Sequence, residues 1–381
     1  MWHPRIPFWI AALFPLLAGS LLQAAKPIEV TPPMPTAEWE RVGVTAGLPG
    51  PLPVIATLRP GDDLQAAIDA APDAGGILLL SAGDYPLTAT LNLRSNLVLK
   101  GVDRVRSRLV LLMRSQRPEL PVAEDTAAWT AGVRLQGVAR CGLEELTIIF
   151  DPSLPPPLPL KTGEAAFKDN PDGRNDLHVV SICLDQVQDG WITGCLILNA
   201  GSNPLVVANS KHVTVNEVIV EGAYNRGDRS GELILAHSEY ALFKNLRGSE
   251  TNSFVMLSGS PPAACRYNVI TDDRFETDVR LHGPGTVHNL IQNCAIALPK
   301  WIDRTPLSPG NVNARLAPPG PGNLVYFCTI TRDSAAAMYG FSMADNPGMI
   351  YEVIQTRARN NEPSVVDFGP APPTGFLVKI P

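Results

Sequence analysis

Residues 271–289, TDDRFETDVRLHGPGTVHN, pack eight titratable side chains into one short stretch: Asp272, Asp273, Arg274, Glu276, Asp278, Arg280, His282 and His288. Two adjacent carboxylates repel, so their proton affinities separate and the pair can supply both an acid and a base. One carboxylic acid can protonate a glycosidic oxygen while the other carboxylate activates water. Asp272, Asp273 and His282 are therefore the expected catalytic residues. The same charges could instead serve to hold a loop in place.

A second constellation lies upstream in 221–239, EGAYNRGDRSGELILAHSE, where Arg226, Asp228, Arg229 and Glu232 cluster around glycines. Cleavage of an acidic sugar chain by elimination needs a cation to neutralise the carboxylate and a base to take the C5 proton. Arg226, Arg229 and Arg280 are the candidates for that cation, and Trp301 is a candidate platform for a sugar ring. A turn held by Arg–Asp pairs is the other reading of the same residues. No nucleophile elbow, phosphate loop or zinc-protease motif is present, and the cysteines lack the paired spacing of a zinc site. No metal site is expected.

The elements that must hold these residues read as short repeated strands. LEELTII (143–149), ITGCLIL (192–198), VNEVIVE (215–221), FKNLRGS (243–249), VITDDRF (269–275), LIQNCAI (290–296) and LVYFCTI (324–330) recur, most of them about 21 to 28 residues apart. That interval suits a solenoid coil of three strands. Within the pieces one position aligns: Leu146, Cys195, Val218, Leu246, Asp273, Cys294 and Cys328. Period-two alternation puts these on one face, the interior of a stacked coil. Cys195, Cys294 and Cys328 are then buried free thiols. Asp273 falls in the same interior register, unless a slip of one residue turns Asp272 inward instead. Two wider gaps, 150–178 and 299–322, are expected to be long loops flanking a groove. The groove itself is expected where 221–239 and 265–289 adjoin.

The N-terminal half of the chain supplies the start of such a stack. Residues 62–71 carry apolar side chains at helical spacing, Leu64, Ala67, Ile68 and Ala71, with Asp62 or Asp63 as the cap. A short helix there would close the open end of the first coil. Residues 26–58 are Pro-rich and read as an extended lead-in lying along the body. Residues 1–25 read as a signal peptide: Arg5, an apolar run from Phe8 to Leu22, then Ala24 and Ala25. The run contains Pro15 and is short for a membrane span. A secreted protein, periplasmic or extracellular, is expected.

Composition narrows the class further. The net charge is −6, and removal of residues 1–25 takes away Arg5 and no acid, leaving −7, which is no balance for binding nucleic acid. With 37 Pro, 31 Gly and only 18% charged residues, the chain suits many short strands and turns. About 355 mature residues exceed one globular core, a limit that a solenoid escapes because each repeat packs only on its neighbours. A monomer without a membrane span is expected.

The stretch LQAAIDAAPDAGGILLLSAGDYPLTATLNLRSNLVLKGV resembles the N-terminal signature of the pectate-lyase superfamily. The resemblance covers about 40 residues and extends more weakly, through the coil pattern, to about residue 335. It implies an all-β fold, a right-handed parallel β-helix solenoid with a short N-terminal capping helix, spanning 59–381. The Asp272-Asp273 pair and the later His282-Gly283 are also similar to polygalacturonases, where such elements lie about one full coil apart. Here Asp273 and His282 are nine positions apart, and that family's Asn-Thr-Asp and Arg-Ile-Lys elements are absent. In calcium-dependent pectate lyases an Arg is the base and acidic residues hold Ca²⁺; those motifs are not matched, so the expectation is no cofactor, with Ca²⁺ the one candidate. The function implied is that of a secreted carbohydrate-active protein cleaving a polysaccharide, as lyase or glycoside hydrolase. The alternative is a non-catalytic β-helix that binds glycan or serves at a cell surface.

Overall fold

A computed structural model describes residues 35–116, 126–159, 176–227, 230–257, 263–298, 307–308, 317–332, 349–358, 377–378 and 380. Strand pairing throughout is parallel, and each strand bonds to its counterpart one coil away, as in Ile192↔Val215 and Val215↔Phe243. The stack has three faces. On the third face eight strands form one uninterrupted parallel sheet: Leu91–Leu93, Thr130–Gln136, Val179–Asp185, Leu205–Ala208, Glu232–Ala236, Ser253–Leu257, Asp278–His282 and Leu307–Ser308. The first and second faces are built from the strand pairs that precede each of these, such as Thr214–Asn216 with Ile219–Ala223. The coils of the sequence pattern are therefore the coils of a parallel β-helix.

Alternation within each strand builds the core. Leu205, Val207, Leu233, Leu235, Phe254, Met256, Val279 and Leu281 all turn inward from the third face and are buried together. The corner between first and second faces is tight, with Glu145, Glu217, Asn245, Asp272 and Asn293 each holding a positive φ between 48° and 61°. One left-handed residue swings the chain through the corner, and the next side chain then points inside. That next residue is the aligned ladder position. The amides of Leu196, Ile219, Arg247, Arg274, Ala295 and Thr329 donate to the carbonyls of Leu146, Cys195, Val218, Leu246, Asp273 and Cys294 at 2.8–3.0 Å, linking successive ladder residues. Asn268, Asn289 and Asn323 form a second interior ladder, each Oδ1 accepting a backbone amide of the preceding coil at 2.8–3.1 Å.

The helix Leu64–Ala70 covers the first coil, with Asp63 accepting the Ala66 amide at 3.0 Å and Leu64 and Ile68 buried in the core. A strand, Val54–Leu58, precedes it and pairs with Gly76–Leu80. The lead-in upstream runs as a strap along the outside of the first face, crossing the coils in reverse order. Gly43, Val44 and Thr45 donate backbone amides to Tyr240 O, Thr214 Oγ1 and Asp189 Oδ1 at 2.8, 2.9 and 2.8 Å. Gly43 has φ +80° and sits so close that a Cβ would meet Thr214 Oγ1 at 2.7 Å, so glycine is required there. Trp39 is fully buried against Leu242, Val269, Leu290 and Leu324, and Val378 from the C-terminal end joins the same cluster. Both ends of the described chain therefore cover the outside of the first face. Among the described residues, no helix is long and apolar enough to cross a membrane.

Candidate active site

With the first face covered, the other two differ in character. The second face presents exposed charges such as Glu221, Arg247 and Arg274, each solvated as an ordinary surface residue. The third face gathers buried polar groups on its outer side. Asp278, Arg280 and His282 alternate along one strand with the inward Val279 and Leu281, so all three project outward together. Glu232 and Ser253 occupy the same register row as Asp278 on the two preceding coils.

Arg280 Nη1 donates to Glu232 Oε1 at 3.2 Å, and Arg280 Nε lies 4.0 Å from Asp278 Oδ2. Ser253 Oγ donates to Asp278 Oδ1 at 2.8 Å, and the Glu232 amide donates to Asn203 Oδ1 at 2.9 Å. Glu232, Asp278 and His282 are buried, while the Arg280 side chain keeps 16% of its surface. On the middle coil Val255 holds the row of Arg280 and Ser253 that of Glu232, so the Arg280 side chain reaches Glu232 diagonally across that coil. Beside this row the outer side of the sheet is apolar and covered: Val206, Ala208, Ile234 and Ala236 are buried in one cluster with Trp129. Two carboxylates and a guanidinium thus form one buried polar cluster on the outer side of the third face, next to an imidazole and a buried apolar patch.

The sequence-predicted residues are distributed differently from expectation. Asp273 is inside the coil, 2% exposed, with Oδ1 accepting the Leu246 amide at 2.7 Å. Burial pushes its pKa well above the usual carboxylate range, and the nearby Asp272 charge adds to this. Asp272 is the left-handed corner residue, partly exposed, with its carboxylate taken up by Asn293 Nδ2 at 2.6 Å and Thr271 Oγ1 at 3.3 Å. The two carboxylates therefore point to opposite sides of the chain. The second strand pair and the third sheet separate them from His282, so the structure does not bring the three together. The reason is the corner: a single left-handed residue must place neighbours on opposite sides.

Arg226 is buried, with Nη1 3.4 Å from Glu250 Oε2 and Nη2 donating to the Leu158 carbonyl. Burial holds its pKa below the ordinary arginine value, opposed by the Glu250 charge. It ties the 224–227 turn to the base of the 150–178 loop, as does Tyr224 Oη donating to Pro155 O at 2.9 Å. Arg280 is engaged with Glu232, and its side chain keeps 16% of its surface. Arg229 and Trp301 lie outside the described residues. The segments 221–239 and 265–289 adjoin at one corner, where Glu239 bridges to Arg266 and accepts its Nε at 2.7 Å, whereas on the third face the strand Ser253–Leu257 lies between Glu232–Ala236 and Asp278–His282. Their charged groups nevertheless meet across Ser253.

Glu232 and Asp278 are the residues that the catalytic assignment from sequence passed over. A signal for Asp278 was present in DVRLH, whose period-two pattern puts three polar groups opposite Val279 and Leu281. For calcium the donors do not fit: Asp272 and Asp273 diverge and Asp278 is bonded to Ser253. Among the described residues no group of three or more His, Cys, Asp or Glu is disposed to hold a metal ion.

No protein-family model matches the chain, and no curated protein is similar to it in sequence. Solved structures are similar to it in fold. Polygalacturonase from Erwinia carotovora is 11% identical over 83% of this chain and 95% of its own, with a TM-score of 0.49. Pectin methylesterase from carrot is 12% identical over 80% of this chain and 89% of its own, with a TM-score of 0.49. An exopolygalacturonase from Thermotoga maritima is 11% identical over 81% of this chain and 77% of its own, with a TM-score of 0.45. The strand pairing itself shows the fold to be a parallel β-helix. These structural neighbours are carbohydrate-active β-helix enzymes, and at such identity the likeness is one of fold alone.

Proposed function

We propose that the protein hydrolyses a polysaccharide that gains access to the buried polar cluster on the outer side of the third face, with Glu232 and Asp278 as the acid–base pair. The observation that carries this reading is the shared register row of Glu232, Ser253 and Asp278, bridged by Arg280. Strands one coil apart are spaced about 4.8 Å, so the two acids stand on backbones about 10 Å apart with a small serine between them. Inverting glycoside hydrolysis uses carboxyl groups roughly 6.5–9.5 Å apart, leaving room for the attacking water. One group, protonated, gives its proton to the leaving oxygen; the other takes a proton from water as it attacks the anomeric carbon. Arg280 positions both carboxylates, and His282 faces the next stretch of the bound chain. The signal-like pattern of residues 1–25 supports a site of action outside the cytoplasm, as part of the same proposal.

A screen of purified protein against neutral glycans and polyuronates tests the reading. It follows new reducing ends and the ultraviolet absorbance of unsaturated products. Reducing ends without unsaturation support hydrolysis. Glu232→Gln and Asp278→Asn should each lower turnover by about a hundredfold or more. Full activity in both variants, or glycan binding with no product, overturns the assignment, the latter placing the protein among non-catalytic glycan binders.

A further inference from the structure

We propose that the outer side of the first face holds a peptide-binding site, and that the C-terminal residues Leu377, Val378 and Ile380 are its built-in ligand. Two outward rows build the site. Leu242, Val269, Leu290 and Leu324 pair in register on four consecutive coils and form an apolar row. Two positions further along the same strands, Lys244, Thr271, Gln292 and Tyr326 form a second row. Strand alternation puts both rows on the outside, since Phe243, Ile270, Ile291 and Val325 turn into the core. Val378 is buried against the apolar row, in one cluster with Trp39 of the strap.

Gln292 reads the backbone of the segment. Its Oε1 accepts the amides of Leu377 and Val378, each at 3.2 Å, and its Nε2 donates to the Val378 carbonyl at 2.8 Å. A fully buried side-chain amide thus plays the part of a neighbouring strand. Lys244 Nζ donates to the Ile380 carbonyl at 3.4 Å. Gln292 and Lys244 stand two coils apart in one row, so the segment runs across the strands, along the stack. Lying that way it does not extend the parallel ladder, and its described hold is two side-chain clamps and one apolar anchor. A unit held by so few contacts opens at lower cost than the coils beneath it. The class of ligand follows from the same contacts: an extended peptide with a branched apolar residue at the anchor and a free amide there and one position before. Proline at either position would remove a donor that Gln292 accepts.

Fluorescence anisotropy of a labelled peptide with the sequence of residues 374–381, TGFLVKIP, tests this on the full chain. In the natural protein the tethered segment competes at an effective concentration of about millimolar, so the free peptide should bind weakly. Val378→Asp removes the anchor and frees the site. That variant should bind the peptide saturably and at least about tenfold more tightly than the natural protein does. Adding Gln292→Ala to it, or using a peptide with Leu377→Pro, should weaken binding about tenfold. Circular dichroism establishes that each variant is folded, and Val378→Ser is the milder release if Val378→Asp does not fold. A folded release variant that takes up no peptide overturns the inference, as does equal binding by the natural protein. Failure of both release variants to fold overturns it as well, because the segment is then an integral part of the fold and not a ligand. So does binding indifferent to Gln292→Ala and to Leu377→Pro, since apolar adhesion alone would account for it.

Discussion

The guanidinium of Arg280 donates to the carboxylate of Glu232 at 3.2 Å, although 48 positions of chain separate them. It crosses an entire coil to do so, with Nε 4.0 Å from Asp278 Oδ2. Removing one partner of a buried ion pair leaves the other uncompensated, which costs about 3–5 kcal/mol. Arg280→Ala should therefore destabilise by roughly that amount in urea unfolding. The double variant Arg280→Met with Glu232→Gln should recover part of the loss, because neither charge is then stranded. Additive losses in that cycle would show that the pair is not energetically coupled.

Asp273 gives a pH dependence of a definite sign. Burial raises its folded pKa above the ordinary aspartate value of 3.8. The folded state thus keeps a proton over a range where the unfolded chain has released it, and stability falls as pH rises through that range. Asp273→Asn retains an oxygen for the Leu246 amide and has nothing to ionise. It should raise Tm by a few degrees near about pH 8, give little gain near about pH 4, and leave turnover unchanged. A large loss of turnover with an unchanged Tm profile would return Asp273 to the catalytic role expected from sequence.

Trp39 tests the strap. It is completely buried on the outside of the first face, and its Nε1 donates to the His288 carbonyl at 2.7 Å. Trp39→Ala should cost about 3–5 kcal/mol, the usual range for a buried large aromatic. Limited proteolysis should then cut the 35–52 segment sooner than in the natural protein. Unchanged stability would mean that the strap contributes little to holding the coils together.

The six cysteines are all free and buried. Burial pushes the Cys195 thiol up to about 12, so it is neither a thiolate nor accessible at ordinary pH. A thiol reagent should titrate none of the six in the native protein and all six in denaturant without reductant. Fewer than six in denaturant would reveal a disulfide.

What the sequence by itself determined were the features carried by short-range pattern. Cys195, Asp273, Cys294 and Cys328 could be assigned to one interior ladder because strand alternation and coil spacing are properties of a few consecutive residues. The capping helix was legible from the apolar spacing of Leu64 and Ile68 behind Asp63. The outward face of DVRLH was legible on the same grounds, although its acid was not singled out. The tertiary structure alone decided which outward side chains share a surface. Glu232 meets Arg280 because the coil of 240–257 sets their strands two coils apart, with Ser253 between Glu232 and Asp278 and Val255 beside Arg280, a placement fixed by the combined lengths of three coils and their turns. It also decided that Trp39 and Val378, from opposite ends of the chain, close the first face. Contacts of this kind depend on how separate segments stack in space, and no local periodicity records that stacking.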